Sequence, residues 1–174
     1  MLLEALTHLS RDDYVTVSVG DEQGREESRH QLEQQVQKKG LEHIVRFAGP
    51  CRDMPAAYMS SDIVVNASTK PEAFGRVIVE AQAMGRPVVA FDHGGARETL
   101  LEGKTGLLVE PGDARALARA IDTAINLNAE QRKTMAQVAI NNVHENFTLE
   151  RMCAQTLAVY EEILAGGRLS ATAQ

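Results

Sequence analysis

Short apolar segments rich in Val and Ile alternate with amphipathic segments along most of the chain. Five of these apolar segments predict β-strands, because each is five to seven residues long and is followed by turn residues such as Gly, Pro, Asp or Ser. Most of them are continuous rather than strictly alternating, so they are expected to be buried on both faces of a sheet. The predicted strands are residues 14–19, 43–49, 62–68, 87–91 and 105–109.

Helical patterns fill the intervals between these strands and continue after the last one. Asp113 is expected to cap a helix in which Leu117, Ile121 and Ile125 recur every four residues. The final helix carries Met152, Leu157, Tyr160, Ile163 and Leu164 on one side. The predicted helices lie at about residues 24–39, 54–61 and 74–85, from 113 onward, from 130 onward, and at 149–165.

Alternation of strands and helices predicts parallel pairing through right-handed crossovers. The expected fold class is therefore α/β, a doubly wound, Rossmann-like parallel sheet. A chain of 174 residues fits one domain, which we assign to residues 1–165, and residues 166–174 are expected to form a flexible tail. In such a sheet ligands bind beyond the carboxyl ends of the strands, so the loops after the first four strands are the candidate site.

Composition narrows the classes of function. A net charge of −6 and a pI near 5.4 disfavour nucleic-acid binding, which depends on Lys and Arg neutralising phosphates. The sequence has no apolar stretch of about 20 residues and no secretory signal, so a cytoplasmic location is expected. Cys51 and Cys153 form no C-x-x-C pair and the histidines lack ligand spacing, so no metal site is expected.

Two glutamates stand eight positions apart across a predicted helix start. Glu72 precedes the helix and Glu80 lies about six residues inside it, which separates them by about 9–12 Å along the axis. That separation has the scale of a nucleoside diphosphate. The amides between the two acids are unsatisfied donors at the positive end of the helix dipole and suit phosphate. They belong to Phe74, Gly75, Arg76 and Val77.

This spacing leaves two interpretations open. In the first, Glu80 accepts hydrogen bonds from ribose hydroxyls, Gly75 lets a diphosphate approach the amides, and Glu72 lies beside a sugar. In the second, Glu80 only pairs with Arg76 one turn earlier, and Glu72 only complements the helix dipole. The apolar surroundings of Glu80 favour the first, because a buried acid is costly unless partners satisfy it.

The segment from Lys70 to Asp113 resembles the C-terminal, donor-binding domain of family 4 (group 1) retaining glycosyltransferases of GT-B architecture. Its E-x7-E motif matches Glu72 and Glu80, and it is followed by G-x-P-V-V, by a G-G-x-x-E loop at residues 94–98, and by T-G-L-L-V-x-P-G-D. The resemblance covers nearly the whole chain and is sharpest over residues 62–113.

The resemblance implies a role for each matching position. Glu72 would lie at the transferred sugar and take part in catalysis, and Glu80 would bind the ribose. The amides of residues 74–77 would contact the donor sugar and diphosphate. Gly94 and Gly95 would shape their loop rather than touch the donor, and His93 is expected to be structural. The nucleobase would rest against Gly20, Arg46, Phe47 and Gly49. No cofactor is implied, since the nucleoside-diphosphate sugar is a substrate.

The same resemblance implies a second, acceptor-binding domain and a first strand of the sheet, followed by G-R and K-G residues that neutralise the leaving diphosphate. This sequence shows none of them, so transfer by this chain alone is not expected. The expected partners are a separately encoded N-terminal domain or further copies of the chain, with a glycan or lipid-linked acceptor. The full-length enzyme would lie peripheral to the inner membrane and serve cell-envelope polysaccharide synthesis.

Three other functions are alternatives to this one. A non-catalytic sugar-nucleotide-binding or interaction module would use the same residues without chemistry. A fragment of a GT-B sugar epimerase would place its catalytic acids and histidine elsewhere. A nicotinamide-binding domain is disfavoured because no strand is followed by G-x-G-x-x-G.

Overall fold

The computed structural model describes residues 1–20 and 26–165, so the predicted tail at 166–174 lies outside the described residues. Helices and strands alternate along the chain. The strands are β1 (Thr16–Val19), β2 (Val45–Gly49), β3 (Val64–Asn66), β4 (Val88–Phe91) and β5 (Gly106–Val109). The helices are α1 (Leu2–Leu6), α2 (Glu26–Lys38), α3 (Met54–Met59), α4 (Arg76–Ala83), α5 (Ala96–Thr99), α6 (Ala114–Ile125), α7 (Ala129–Asn146) and α8 (Leu149–Leu164).

All described strands pair in parallel, but they form two sheets rather than one. β1 pairs with β2, and β3, β4 and β5 form a second sheet with β4 at its centre. Every residue of β4 is buried, as its run of Val, Val, Ala and Phe predicts for a strand covered on both faces. The α/β, Rossmann-like fold class is confirmed, and the two sheets flank an open groove.

Helices cover both faces of the three-stranded sheet. α1 and α6 pack on one face, where Ala5, Leu117 and Ile121 meet Val89 and Phe91. α3, α4 and α5 pack on the other face through Tyr58, Ile78, Ala96 and neighbouring residues. α1 also contacts β2 and α2 through Leu3 and Leu6, so it joins the two sheets on one side. This two-sided covering is the doubly wound arrangement.

A buried polar network fixes α4 against α5 and α7. The Gln82 amide donates to the Thr99 carbonyl at 2.8 Å, and Asn142 donates to the Gln82 side-chain oxygen at 3.0 Å. All three residues are buried, so each hydrogen bond avoids the cost of an unsatisfied polar group. The network sets the rotation of α4 about its own axis, and Glu80 lies on that helix.

The apolar side of α8 remains uncovered. None of its residues is buried, and Met152, Leu157 and Tyr160 are each more than half exposed. The sequence predicts an apolar side on this helix, and the structure leaves that side open.

Asp113 caps α6, as predicted, and this contact gives the fold a measurable pH dependence. Its carboxylate accepts from the Ala116 amide at 2.8 Å, which lowers the pKa of Asp113. Because the folded pKa is lowered, the stabilisation is present above the unfolded value of about 3.9 and is lost as pH falls through the folded pKa.

We expect Asp113→Ala to lower the free energy of unfolding near neutral pH, because the helix start loses its cap. Asp113→Asn is the matched control, since it keeps a capping oxygen without a titratable group. Urea unfolding from pH 7 to pH 3 should show the Ala penalty shrinking with acid. An equal penalty at both ends of that range would contradict the prediction.

Candidate active site

The loop between β3 and α4 carries the first glutamate of the motif and ends at a glycine-capped helix start. Gly75 is the N-cap residue of α4 and has φ of 77°, a left-handed conformation that favours glycine. The sequence predicts that Gly75 allows close approach of a phosphate, and the structure adds this conformational reason for a glycine. Among the described hydrogen bonds, the amides of Gly75, Arg76 and Val77 donate to no protein acceptor, and they face the carboxyl edge of the sheet.

Two glycines after β4 hold the Glu72 loop in place. The Gly95 amide donates to the Glu72 carbonyl at 2.8 Å. A methyl group added at Gly94 would lie 2.4 Å from the Glu72 carbonyl oxygen, and one at Gly95 would lie 2.4 Å from that of Phe74. The G-G pair therefore allows two loops to touch through their backbones, and it positions the segment that carries Glu72.

Glu72 is half-buried beside a small pocket at the ends of β3 and β4. The pocket is also lined by Asn66, Ser68 and His93. Within the described part of the chain, no hydrogen bond or ion pair engages the Glu72 carboxylate. His93 donates from Nε2 to the Ser68 carbonyl at 3.0 Å, and its Nδ1 is buried without a partner. The histidine thus joins the loops after β3 and β4.

Glu80 lies on the first turns of α4 and is held by two side chains. The Tyr58 hydroxyl donates to Glu80 Oε2 at 2.9 Å, and Arg76 donates to Oε1 at 3.0 Å. Burial of Tyr58, with the Glu80 carboxylate as its acceptor, raises the pKa of the phenol, so Tyr58 stays protonated and donates. Tyr58 from α3 therefore orients the carboxylate that the sequence analysis singled out.

The Arg76 to Glu80 pair of the alternative interpretation is also present. Its contribution to stability is small, because the Arg76 side chain is 83% exposed and surface ion pairs are screened by water. The Glu80 carboxylate is itself 36% exposed and keeps acceptor capacity for a ligand. The pair is thus compatible with a binding role for Glu80.

Of the residues expected to contact the nucleobase, Gly20 and Gly49 lie at the carboxyl ends of their strands, whereas the side chains of Arg46 and Phe47 make their contacts elsewhere. Gly20 and Gly49 meet at the carboxyl ends of β1 and β2, where the Gly20 amide donates to the Gly49 carbonyl at 3.0 Å. The Phe47 ring packs on the apolar cluster of α1 and α2. The Arg46 guanidinium donates to the carbonyls of residues 42, 43 and 45, at the amino end of β2 and away from the site.

Comparison with known proteins identifies the family of this chain. Residues 1–142 match the family described as Glycosyl transferases group 1. The chain belongs to the group 1 glycosyltransferases. The resemblance to family 4 (group 1) enzymes of GT-B architecture, seen first around Glu72 and Glu80, is confirmed.

Relatives of this glycosyltransferase chain are similar over most of its length. It is 34% identical over 134 residues to a D-inositol 3-phosphate glycosyltransferase of Corynebacterium urealyticum, covering 76% of this chain and 31% of that protein. A crystal structure of a glycosyltransferase from Rickettsia africae matches with a TM-score of 0.88 and 37% identity, over 94% of this chain and 43% of that one. Anabaena HepE in complex with UDP-glucose matches with a TM-score of 0.82 and 36% identity, over 90% and 44%. The chain spans less than half the length of each.

Two classes of feature are not found in the part of this glycosyltransferase that the structure describes. Across residues 1–20 and 26–165, no helix combines the length and apolar character needed to cross a membrane. The same residues contain no group of three or more His, Cys, Asp or Glu side chains placed to hold a metal ion.

Tyr58 is the residue of this site that sequence reasoning missed. Its segment, MPAAYMSS, reads only as a short helix, and nothing in that pattern links it to an acid 22 residues later. A usable signal was the tyrosine itself, since a phenol in a predicted core helix needs a hydrogen-bond partner. Glu80 was the acid expected to need one.

Proposed function

We propose that this chain is the donor-binding domain of a hexosyltransferase and binds a nucleoside-diphosphate sugar at the carboxyl edge of its sheets. The observation that carries the proposal is the start of α4, where unpaired amides lie between Glu72 and the oriented carboxylate of Glu80. Anabaena HepE, a structural relative, is known in complex with UDP-glucose. That complex supports a nucleoside-diphosphate sugar as the class of donor.

Each part of the donor has a matching group at this edge. Glu80 accepts hydrogen bonds from the ribose hydroxyls, and Tyr58 keeps its carboxylate fixed before the ligand arrives. The amides of Phe74, Gly75, Arg76 and Val77 surround the diphosphate, and the helix dipole favours its negative charge.

The two ends of the donor lie beyond this central segment. Glu72 lies at the sugar and takes part in catalysis. Gly20 and Gly49 lie at the base, together with the adjoining backbone of residues 46–47. The structure directs the Arg46 guanidinium elsewhere, so the side chain of Arg46 has no part in this proposal.

The reaction we propose is transfer with retention of anomeric configuration. The bond between the anomeric carbon and the diphosphate oxygen breaks, and a hydroxyl of a glycan or lipid-linked acceptor forms the new glycosidic bond and releases its proton. The leaving diphosphate gathers charge, and stabilising such charge is a large part of catalysis. A second domain or a partner binds the acceptor, and the full-length enzyme acts in the cytoplasm, peripheral to the inner membrane.

Calorimetric titration of the purified chain with UDP, GDP and ADP tests donor binding. We expect saturable binding of at least one of the three with one site per chain, because ribose and diphosphate contacts are shared by all. Inorganic phosphate is the control ligand and should bind far more weakly. Absence of binding by all three nucleotides would overturn the proposal.

Transfer by the purified 174-residue chain alone is expected to be undetectable in a radiolabelled-donor assay. The only cationic side chain described at the start of α4 is Arg76, which is exposed and paired with Glu80. Mixing the chain with an acceptor-binding domain of the same family should restore turnover. Turnover without it would contradict this prediction, and binding without turnover in the mixture would indicate a non-catalytic binding module.

A further inference from the structure

Phe147 at the end of α7 contacts the loop that carries Glu72. The centroid of its ring lies 5.8 Å from that of Phe74, and the two ring planes meet at 70°. This edge-to-face arrangement is one of the favoured geometries of an aromatic pair. Phe147 is half-buried, and the Phe74 side chain is 46% exposed. The Glu72 loop is therefore contacted from a second direction, in addition to the glycine pair after β4.

The course of α7 along α4 brings Phe147 to this loop. A methyl group added at Gly85, just after α4, would lie 3.1 Å from the Cβ of Ala136, near the middle of α7. Further along both helices lies the buried amide hydrogen bond described above. Phe147 then contacts Phe74, two positions before α4 begins. The two helices thus run in opposite directions, and the end of α7 lies at the start of α4.

Phe147 itself is fixed at the junction of α7 and α8. Its amide donates to the Val143 carbonyl at 2.8 Å, as the C-cap of α7. The next residue, Thr148, is the N-cap of α8, and its hydroxyl accepts from the Arg151 amide at 3.2 Å. Hydrogen bonds on both sides of Phe147 therefore set the position from which its ring meets Phe74.

The loop contacted by Phe147 has few hydrogen bonds of its own. Residues 67–75 belong to no helix or strand. Within the described part of the chain, residues 72–74 are bonded through the Gly95 amide, which donates to the Glu72 carbonyl at 2.8 Å. A loop that becomes ordered only when a ligand binds lowers the affinity by the conformational entropy it loses, and a loop that is already ordered avoids this loss.

We propose, on the basis of the proposed function above, that Phe147 is a positioning residue for the donor. Its ring fixes Phe74, and with it the amides at the start of α4, where the diphosphate binds. Phe147 acts through Phe74 and does not contact the ligand. Loss of the ring should therefore weaken recognition of the diphosphate more than recognition of the base and ribose.

A purely structural role for the aromatic pair leads to a different result. Loss of the pair would then reduce the fraction of folded chain, and it would lower the affinity for every nucleotide by the same factor. A nucleoside diphosphate and its monophosphate differ by one phosphate, and the folded fraction is the same in both titrations. The ratio of their two affinities therefore reports positioning and not stability.

Calorimetric titration of wild type and Phe147→Leu with UDP and UMP measures this ratio, with GDP and GMP or ADP and AMP where wild type prefers that base. Leucine keeps an apolar side chain and removes the ring. We expect UDP affinity to fall by about three- to tenfold and UMP affinity by less than about twofold. Leu149→Ala is the matched control, since it removes a 66% exposed apolar side chain from the same junction. Its ratio should equal that of wild type, and an unchanged ratio in Phe147→Leu would overturn the proposal.

A double-mutant cycle with Phe74→Leu tests whether Phe147 acts through Phe74. Each single variant removes the same ring contact, so the double variant should lose no more UDP affinity than the weaker-binding single variant. Losses that multiply in the double variant would contradict the proposal. Phe74→Leu also carries the ratio test if Phe147→Leu fails to fold, because its exposed ring adds little to the core.

Hydrogen exchange without ligand distinguishes failure of this proposal from failure of the proposed function. The Gly95 amide, which bonds the Glu72 carbonyl, should exchange at least about threefold faster in Phe147→Leu, while the Leu117 amide in α6 keeps its wild-type rate. Equal Gly95 exchange in both proteins would overturn the role of Phe147. Absence of nucleotide binding by wild type would instead refute the donor site, and faster Gly95 exchange would still show that Phe147 fixes the loop.

Discussion

Gly95→Ala is expected to lower the affinity of the chain for a nucleoside diphosphate by about tenfold or more. The added methyl group would lie 2.4 Å from the Phe74 carbonyl oxygen, and close to two further backbone atoms of that residue. Backbone cannot move aside as the end of a flexible side chain can, so the loop from Glu72 to Phe74 must shift. Overpacking of this kind costs about 1–3 kcal/mol, and here the displaced atoms belong to the donor site. Calorimetry with the best-binding nucleotide measures the loss.

Gly103→Ala is the matched control for this variant. Gly103 has φ of 71° in a turn away from the site, and a methyl group there meets no atom within 4 Å. Its effect should be confined to a stability loss of about 1–2 kcal/mol from backbone strain, with nucleotide affinity unchanged. If Gly95→Ala kept wild-type affinity, the assigned role of the glycine pair would be wrong.

Glu80→Gln should weaken nucleotide binding by about ten- to hundredfold while leaving the fold intact. The substitution keeps the size of the side chain and an oxygen that can accept from Tyr58. It removes the negative charge, and hydrogen bonds to charged groups contribute about 1.5–3 kcal/mol. Calorimetric affinity and thermal unfolding of the same samples separate loss of binding from loss of structure.

Two further variants provide comparisons for the loss of affinity in Glu80→Gln. Tyr58→Phe removes only the group that orients Glu80, so its loss of affinity should be smaller, about three- to tenfold. Glu130→Gln, in the exposed first turn of α7, changes the same charge away from the site and should leave affinity unchanged. Wild-type affinity in both Glu80→Gln and a Glu72→Gln, Glu80→Gln double variant would rule out the proposed donor site.

The sequence predicted those strands and helices in which the spacing of apolar residues reflects burial. Each predicted strand is present, shorter by one or two residues at one or both ends, because the last ladder hydrogen bonds are lost where the strands diverge. α5 was missed because a four-residue helix is too short to show periodicity. The cap at Asp113 was found because its chemistry is local.

The parts that could not be predicted depend on contacts between distant segments. No local pattern indicates that Tyr58 meets Glu80, or that Gly94 and Gly95 touch the backbone of Glu72 and Phe74. Arg46 was expected near the base because the family resemblance places the base against the end of the second strand, but a long side chain can lie along its strand in either direction. Its guanidinium turns toward three carbonyls at the amino end.

The buried amide pair of Gln82 and Asn142 has a consequence for how the two halves of the domain work. It anchors α4 to α5 and α7, which all belong to the three-stranded side. The position of the start of α4, where we propose that the diphosphate binds, should therefore be set within the three-stranded side alone.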